Sequence, residues 1–213
     1  MSGQIMTFSR RQHAMLMRPA ENGQEQTNLE TEKWNMVNML YLVGAREFGD
    51  PSIFAFVCIH EPIPNDRGHV YGRMCIRSNE KVLGDFDEPA CMLNVTAAHL
   101  EAVIRRLPEL ETDMFVAKDD VSVWQRIDKA LYLDDDRSNE EISADANLFF
   151  KFDFLTNGGE SFDDSKSFVL REGGRIRILF VQGNAALSCI SVHIDLFEET
   201  VREFVEWIST GGK

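Results

Sequence analysis

The sequence predicts an α+β fold, a mainly antiparallel sheet packed by about three helices, on three observations. Short β-rich runs punctuated by Gly, Pro, Asn and Asp come first, helical patterns follow, and a second group of strands then leads into a closing helix. Strands joined by tight turns pair antiparallel, and the order contains no strand-helix-strand alternation of the kind that builds a doubly wound sheet. Nor does it contain a repeat of the length that builds a solenoid.

A chain of 213 residues suits one domain with appendages. Residues 1–33, rich in Gln, Asn, Thr and Glu and without a sustained apolar period, read as a flexible arm, and 34–213 as a single α+β domain. Translation beginning at Met36 or Met39 is the competing account of that composition.

Taken in order, "VNMLYLVGA" reads as the first strand, and Gly49-Asp50-Pro51 turns the chain into "SIFAFVCI". This run is apolar almost throughout, which marks a central strand covered on both faces. "HVYGRMCIR", Lys81 to Gly84 and "ACMLNV" add short strands. Thr96 starts a helix with Ala97, Leu100, Ile104 and Leu107 at helical spacing, and Pro108 lies just past its end. Asp119 or Asp120 opens a second helix carrying Val121, Trp124, Ile127, Ala130 and Leu131 on one face, so Trp124 is expected in the core.

"LDDDRSNEEISADAN" breaks the pattern, and "LFFKFDFL", "SFVLREGGRIRILFVQ" and "ALSCISVHIDL" read as consecutive antiparallel strands, two of them joined at Glu172-Gly173-Gly174. The last helix runs from about Phe197 to Ile208, with Val201, Phe204, Val205 and Ile208 inward and Trp207 against the sheet.

The formal net charge of −13 argues against nucleic acid and anionic membrane as partners and favours a basic one. No run approaches the roughly 20 apolar residues that span a bilayer, and no secretory leader pattern stands at the start, so the expected location is the cytoplasm. Cys58, Cys75, Cys91 and Cys189 are scattered through apolar runs without a Cys-x-x-Cys pair, as buried reduced thiols are.

Polar clusters give no complete catalytic constellation. His60 and Glu61 end a strand, with His69 across a loop; they could serve acid-base or ligand chemistry, but no second organised pair completes a zinc site. Ser188, Ser191, His193 and Asp195 include triad residue types, yet strand alternation makes Ser191, His193 and Asp195 a polar stripe, without a nucleophile elbow. Gly158-Gly159 and Gly173-Gly174 lack the Lys-Ser/Thr or helix start of a phosphate loop and read as turns. No cofactor and no metal are implied.

The acidic run is the better candidate. Asp134 to Asp145 carries six carboxylates against Arg137, but Asn139 stands where a calcium loop requires glycine. Such a block is either a solvated linker or a partner-facing surface. Its candidate contact residues are Asp134, Asp135, Asp136, Glu140, Glu141 and Asp145, with Glu198, Glu199, Glu203 and Glu206 of the last helix as a second acidic face.

From about Leu40 onward the chain resembles the immunity protein 42 family of bacterial polymorphic toxin systems. The likeness lies in "FGDPSIFAF", "YGRMCIRSNEKVLGD", "SFVLREGGRIRILF" and "ISVHIDLFEETVREFVEWI". It implies an α+β protein, not an enzyme, that binds and neutralises a cognate toxin encoded beside it. A nuclease toxin with a basic surface would suit the acidity of the chain. A small enzyme or ligand-binding domain using His60, Glu61 and His69 is the alternative.

Because residues 1–33 lack a packing pattern, deleting them is expected to leave the thermal midpoint of the domain nearly unchanged. A melting experiment showing a large drop would mean that the segment packs on the domain.

Overall fold

The structure, a computed structural model, describes residues 44–63, 68–133, 136–156 and 158–212. The chain divides after Val43, and every described residue belongs to the unit Gly44–Lys213. The arm at 1–33, most of the strand read from "VNMLYLVGA", and Asp134 and Asp135 lie outside the described residues.

Two antiparallel sheets form. The first has β1 (Arg46–Asp50), β2 (Phe54–Glu61), β3 (Tyr71–Ser78) and β4 (Lys81–Leu83) in that order, and β5 (Cys91–Met92) pairs with β3. The second is a meander of β6 (Ser165–Glu172), β7 (Arg175–Gln182) and β8 (Ser188–His193). Four α-helices occur among the described residues: α1 (Leu93–Arg105), α2 (Asp120–Tyr132), α3 (Asn139–Phe149) and α4 (Ile194–Ser209). The architecture is α+β, as the sequence implies.

β2 is the central strand its apolar run predicted. It lies between β1 and β3, and Phe54, Ala55, Phe56, Val57 and Cys58 are buried in succession, so both faces are covered. The end of β1, just before the turn into β2, requires glycine at 49. Gly49 has φ +86°, and a Cβ there would stand 2.4 Å from the Phe54 carbonyl oxygen. At the β6–β7 hairpin, Glu172 faces Arg175 across Gly173-Gly174, a two-residue loop with Gly173 at φ +57°. Gly158-Gly159 is likewise a turn, held against α1 where the Thr96 hydroxyl donates to the Gly158 carbonyl at 2.7 Å.

The helices close the core. α4 turns Phe197, Val201, Phe204, Trp207 and Ile208 inward. Its Phe204 ring lies 5.7 Å from Phe48 and 5.4 Å from Phe56, and Phe197 lies 5.5 Å from Phe54. α1 packs beside α4 and adds Leu93, Ala97, Leu100 and Val103. α2 covers the second sheet: Trp124 lies 4.7 Å from Phe168, and Asp128 and Asp120 pair with Lys166 and Arg177 of the strands. Trp207 is buried, whereas Trp124 is only part-buried.

Several local expectations are corrected. From Asn139 onward the acidic stretch read as a break is a helix, α3, and "LFFKFDFL" is not a strand: α3 runs through Phe149, a 3-10 turn covers Phe150–Phe152, and only Asp153 bridges to Phe168 of β6. The alternating phenylalanines imitate a strand period. In fact Phe149 and Phe152, three residues apart, both bury against Phe115. "ACMLNV" contributes only Cys91–Met92 as strand before α1 begins at Leu93, three residues ahead of the predicted Thr96. α4 likewise begins at Ile194, not Phe197, so Asp195 belongs to a helix and the stripe of Ser191, His193 and Asp195 on one strand does not exist.

Replacing Phe204, fully buried between two sheet rings and Trp207, by alanine should cost about 3–5 kcal/mol through the cavity it leaves. Chemical denaturation measures this, and a near-neutral result would mean that α4 is not anchored there.

Candidate partner-binding surface

The acidic stretch organises itself before it can meet anything else. Ser138 caps α3 by accepting from the Glu141 backbone N–H at 3.3 Å, and the Glu141 carboxylate accepts from the Ser138 N–H at 2.9 Å. Glu140 and Glu141 stand in the first turn, where the positive end of the helix dipole favours carboxylates. Arg137 turns back onto the end of α2, donating to the carbonyls of Lys129 at 2.8 Å and Leu133 at 3.1 Å, and pairs with Asp145 at 2.6 Å. Asp145 therefore fixes the α2–α3 turn, and Glu141 serves as a cap. Asp136 and Glu140 are exposed.

α4 presents the second acidic face. Glu199, Glu203 and Glu206 are exposed on the side opposite its buried rings. Glu198 is half-buried and lines a shallow groove of about 210 Å³ between α1 and α4, where Glu101 and Arg105 stand across from Arg202 over an apolar floor of Ile104, Val201 and Val205. The two faces belong to different elements and are not one run of the chain.

His60 and Glu61 are adjacent on β2, so they point to opposite faces of the sheet. Glu61 pairs with Arg73 at 2.8 Å, the His60 ring lies beside Gly212, and His69 packs edge-on to Tyr71 with Asn94 at 3.5 Å. The structure does not gather the three into one constellation. Among the described residues no group of three or more His, Cys, Asp or Glu is placed to hold a metal ion. Ser191 accepts from Arg175 at 2.9 Å, and His193 caps α4. The four thiols are free; burial pushes the Cys75 thiol up to about 12 and the Cys58 thiol upward as well. No described helix is long and apolar enough to cross a membrane.

One buried polar group was missed in the sequence. Asp153, only 8% exposed, accepts from the Tyr132 hydroxyl at 2.6 Å, and Arg106 donates to its backbone carbonyl at 2.5 Å. Burial raises the Asp153 carboxyl above its ordinary value, against the lowering effect of the Tyr132 hydrogen bond. It raises the Tyr132 phenol too, with the Asp153 hydrogen bond adding to the effect. This cluster ties the end of α2 to the chain leaving α3. Its only sequence signal was an aspartate inside an aromatic run.

The model of the family described as Immunity protein 42 matches residues 39–207. The chain belongs to the immunity protein 42 family. Among solved structures it is similar to CdiI from Burkholderia dolosa AUO158, at 13% identity and a TM-score of 0.54, over 76% of this chain and 99% of that one. At that identity the likeness concerns the fold. No curated protein sequence matches significantly. Family membership makes toxin immunity the setting in which the two acidic faces are to be understood, and neither face is itself marked by the match.

The pH response of Asp153 has a definite sign. A carboxyl raised in the folded state keeps its proton to higher pH than in the unfolded chain. Stability from this group is thus greatest below the ordinary value and falls as pH rises through the folded value. Asp153→Asn keeps an acceptor for Tyr132 and removes the charge, so its melting temperature should fall less than that of the wild type between about pH 4 and about pH 7. Parallel pH profiles for the two proteins would assign the dependence to other groups.

Proposed function

We propose that this immunity protein acts in the cytoplasm by binding a cognate toxin encoded beside it and covering the toxin's active site with an acidic surface. The observation that carries the reading is the family match across 39–207, and the net charge of −13 supports its chemistry. A toxin that cleaves nucleic acid carries a basic surface for its polyanionic substrate, and an acidic inhibitor competes for that surface while being steered to it from a distance. The contact residues proposed are Asp134, Asp135, Asp136, Glu140, Glu141 and Asp145 of the acidic stretch, with Glu198, Glu199, Glu203 and Glu206 on α4. No enzymatic step is needed, because a stoichiometric complex suffices.

Co-expression with the toxin gene next to its own should restore growth to cells that the toxin alone kills, and the two proteins should co-purify. Their association rate should fall as salt is raised, since exposed charges separated by more than about 8 Å are largely screened at physiological ionic strength. Continued killing despite expression of folded protein would refute immunity. Protection with a salt-independent association rate would leave immunity intact and refute the acidic mode.

A further inference from the structure

The exposed apolar side chains of this protein are not scattered. Ten large ones are exposed among the described residues, and eight lie between Met114 and Phe150, in α2, α3 and the segments flanking them; α4 has none. An acidic face without apolar anchors can attract a partner but holds it weakly, because binding energy concentrates in a few buried aromatic or aliphatic contacts ringed by polar groups. Of the two acidic faces, only the α2–α3 hairpin carries both parts.

The anchors share a small base. The buried rings of Phe115 and Phe149 lie 6.5 Å apart, and both lean on Phe152. The chain neighbours of each buried ring point outward: Met114 and Val116 flank Phe115, and Leu148 and Phe150 flank Phe149. Val116 is 61% exposed and Phe150 64%. Arg126 and Lys151 are drawn over the faces of Phe149 and Phe152 at 5.0 and 5.1 Å.

On α3, Glu140, Ala144 and Leu148 follow at spacings of four, are exposed and share one side, so acid and anchor stand about 12 Å apart along one helix. Among the described elements α3 packs chiefly on α2 and on the turn that follows it.

We infer that the hairpin of α2 and α3 is the grip on the toxin. Val116, Leu148 and Phe150 enter an apolar depression on the toxin, while Asp136 and Glu140 meet basic groups beside it. The inference rests on the immunity reading above and selects one of its two acidic faces. The charge of the hairpin turn commits the occupant to a basic toxin face rather than to a second copy of this acidic chain.

The test uses the full chain and the product of the neighbouring toxin gene, inactivated, in a surface-binding assay. Leu148→Ser with Phe150→Ser should weaken binding by about 30-fold or more, mainly through faster dissociation, with an unchanged melting curve. Asp136→Lys with Glu140→Lys should slow association and leave dissociation nearly unaltered. Glu199→Lys with Glu203→Lys on α4 should retain the wild-type dissociation rate. Should the first variant misfold, Met114→Ser with Val116→Ser, on the other side of the ring base, gives the same reading.

Wild-type affinity in the folded apolar variants overturns the inference while leaving immunity standing. So does loss of binding confined to the α4 variant, or a light-scattering result in which the apolar variants abolish a dimer but not toxin binding. A wild-type chain that neither binds nor protects overturns both readings.

Discussion

Phe204 is wedged between Phe48, Phe56 and Trp207, and this contact decides which side of α4 is left for anything else. A fully buried phenylalanine offers a large area to the hydrophobic effect, and edge-on and tilted ring contacts add a preference for one geometry. With Phe197, Val201 and Ile208 on the same stripe, the helix cannot roll without exposing several of them. Its carboxylates at 199, 203 and 206 are therefore fixed outward by the packing of the opposite side. Their exposure is a consequence of the core and, taken alone, is not a sign of a binding site.

The same reasoning separates α3 from the other helices. α2 commits Trp124 and Tyr132 to Phe168, and two ion pairs to strand cations, so it belongs to the second sheet. α3 has no sheet of its own. It is held by its cap, by Arg137 and Asp145 at one end, and by Phe149 in the ring base at the other. An element with local supports at both ends and exposed apolar residues between and beside them can give up its free side to a partner without loosening the main core.

Much of this was legible in the sequence, and the failures have physical causes. The unbroken apolar run of β2, the Gly-Gly hairpin and the inner stripe of α4 were read correctly because burial, turn chemistry and period agreed there. In α3 they conflicted. Its charges suggested solvent, and the capping pair Ser138 and Glu141, the one clear start signal, was hidden inside an acidic run. "LFFKFDFL" failed for a different reason: alternating aromatics satisfy a strand period and a three-residue helical spacing alike, and only the position of Phe115 decides between them. The division into two sheets is illegible for another reason: apart from β5 on β3, each sheet pairs strands that neighbour one another in the chain, and no local pattern says that the second group starts a sheet of its own. Glu61 and Arg73 illustrate the limit for sites, because a cross-strand partner removes a carboxylate from the pool of free acids without leaving any mark in its neighbourhood of sequence.

Charge and apolar exposure then divide the labour of recognition by range. The excess negative charge of the whole chain acts across several ångströms of solvent and sets how often a basic partner arrives, so carboxylates far from any contact, those of α4 included, can contribute to the encounter. Residence depends on surface that loses water on contact, and this acts only where atoms touch. A protein can thus keep acid over much of its surface and still have one grip. The face to seek is the one where carboxylates adjoin side chains that the fold left dry on one side only. Around Phe115 and Phe149 the buried rings hold their chain neighbours outward, so the packing of the hairpin itself produces exposed apolar surface there.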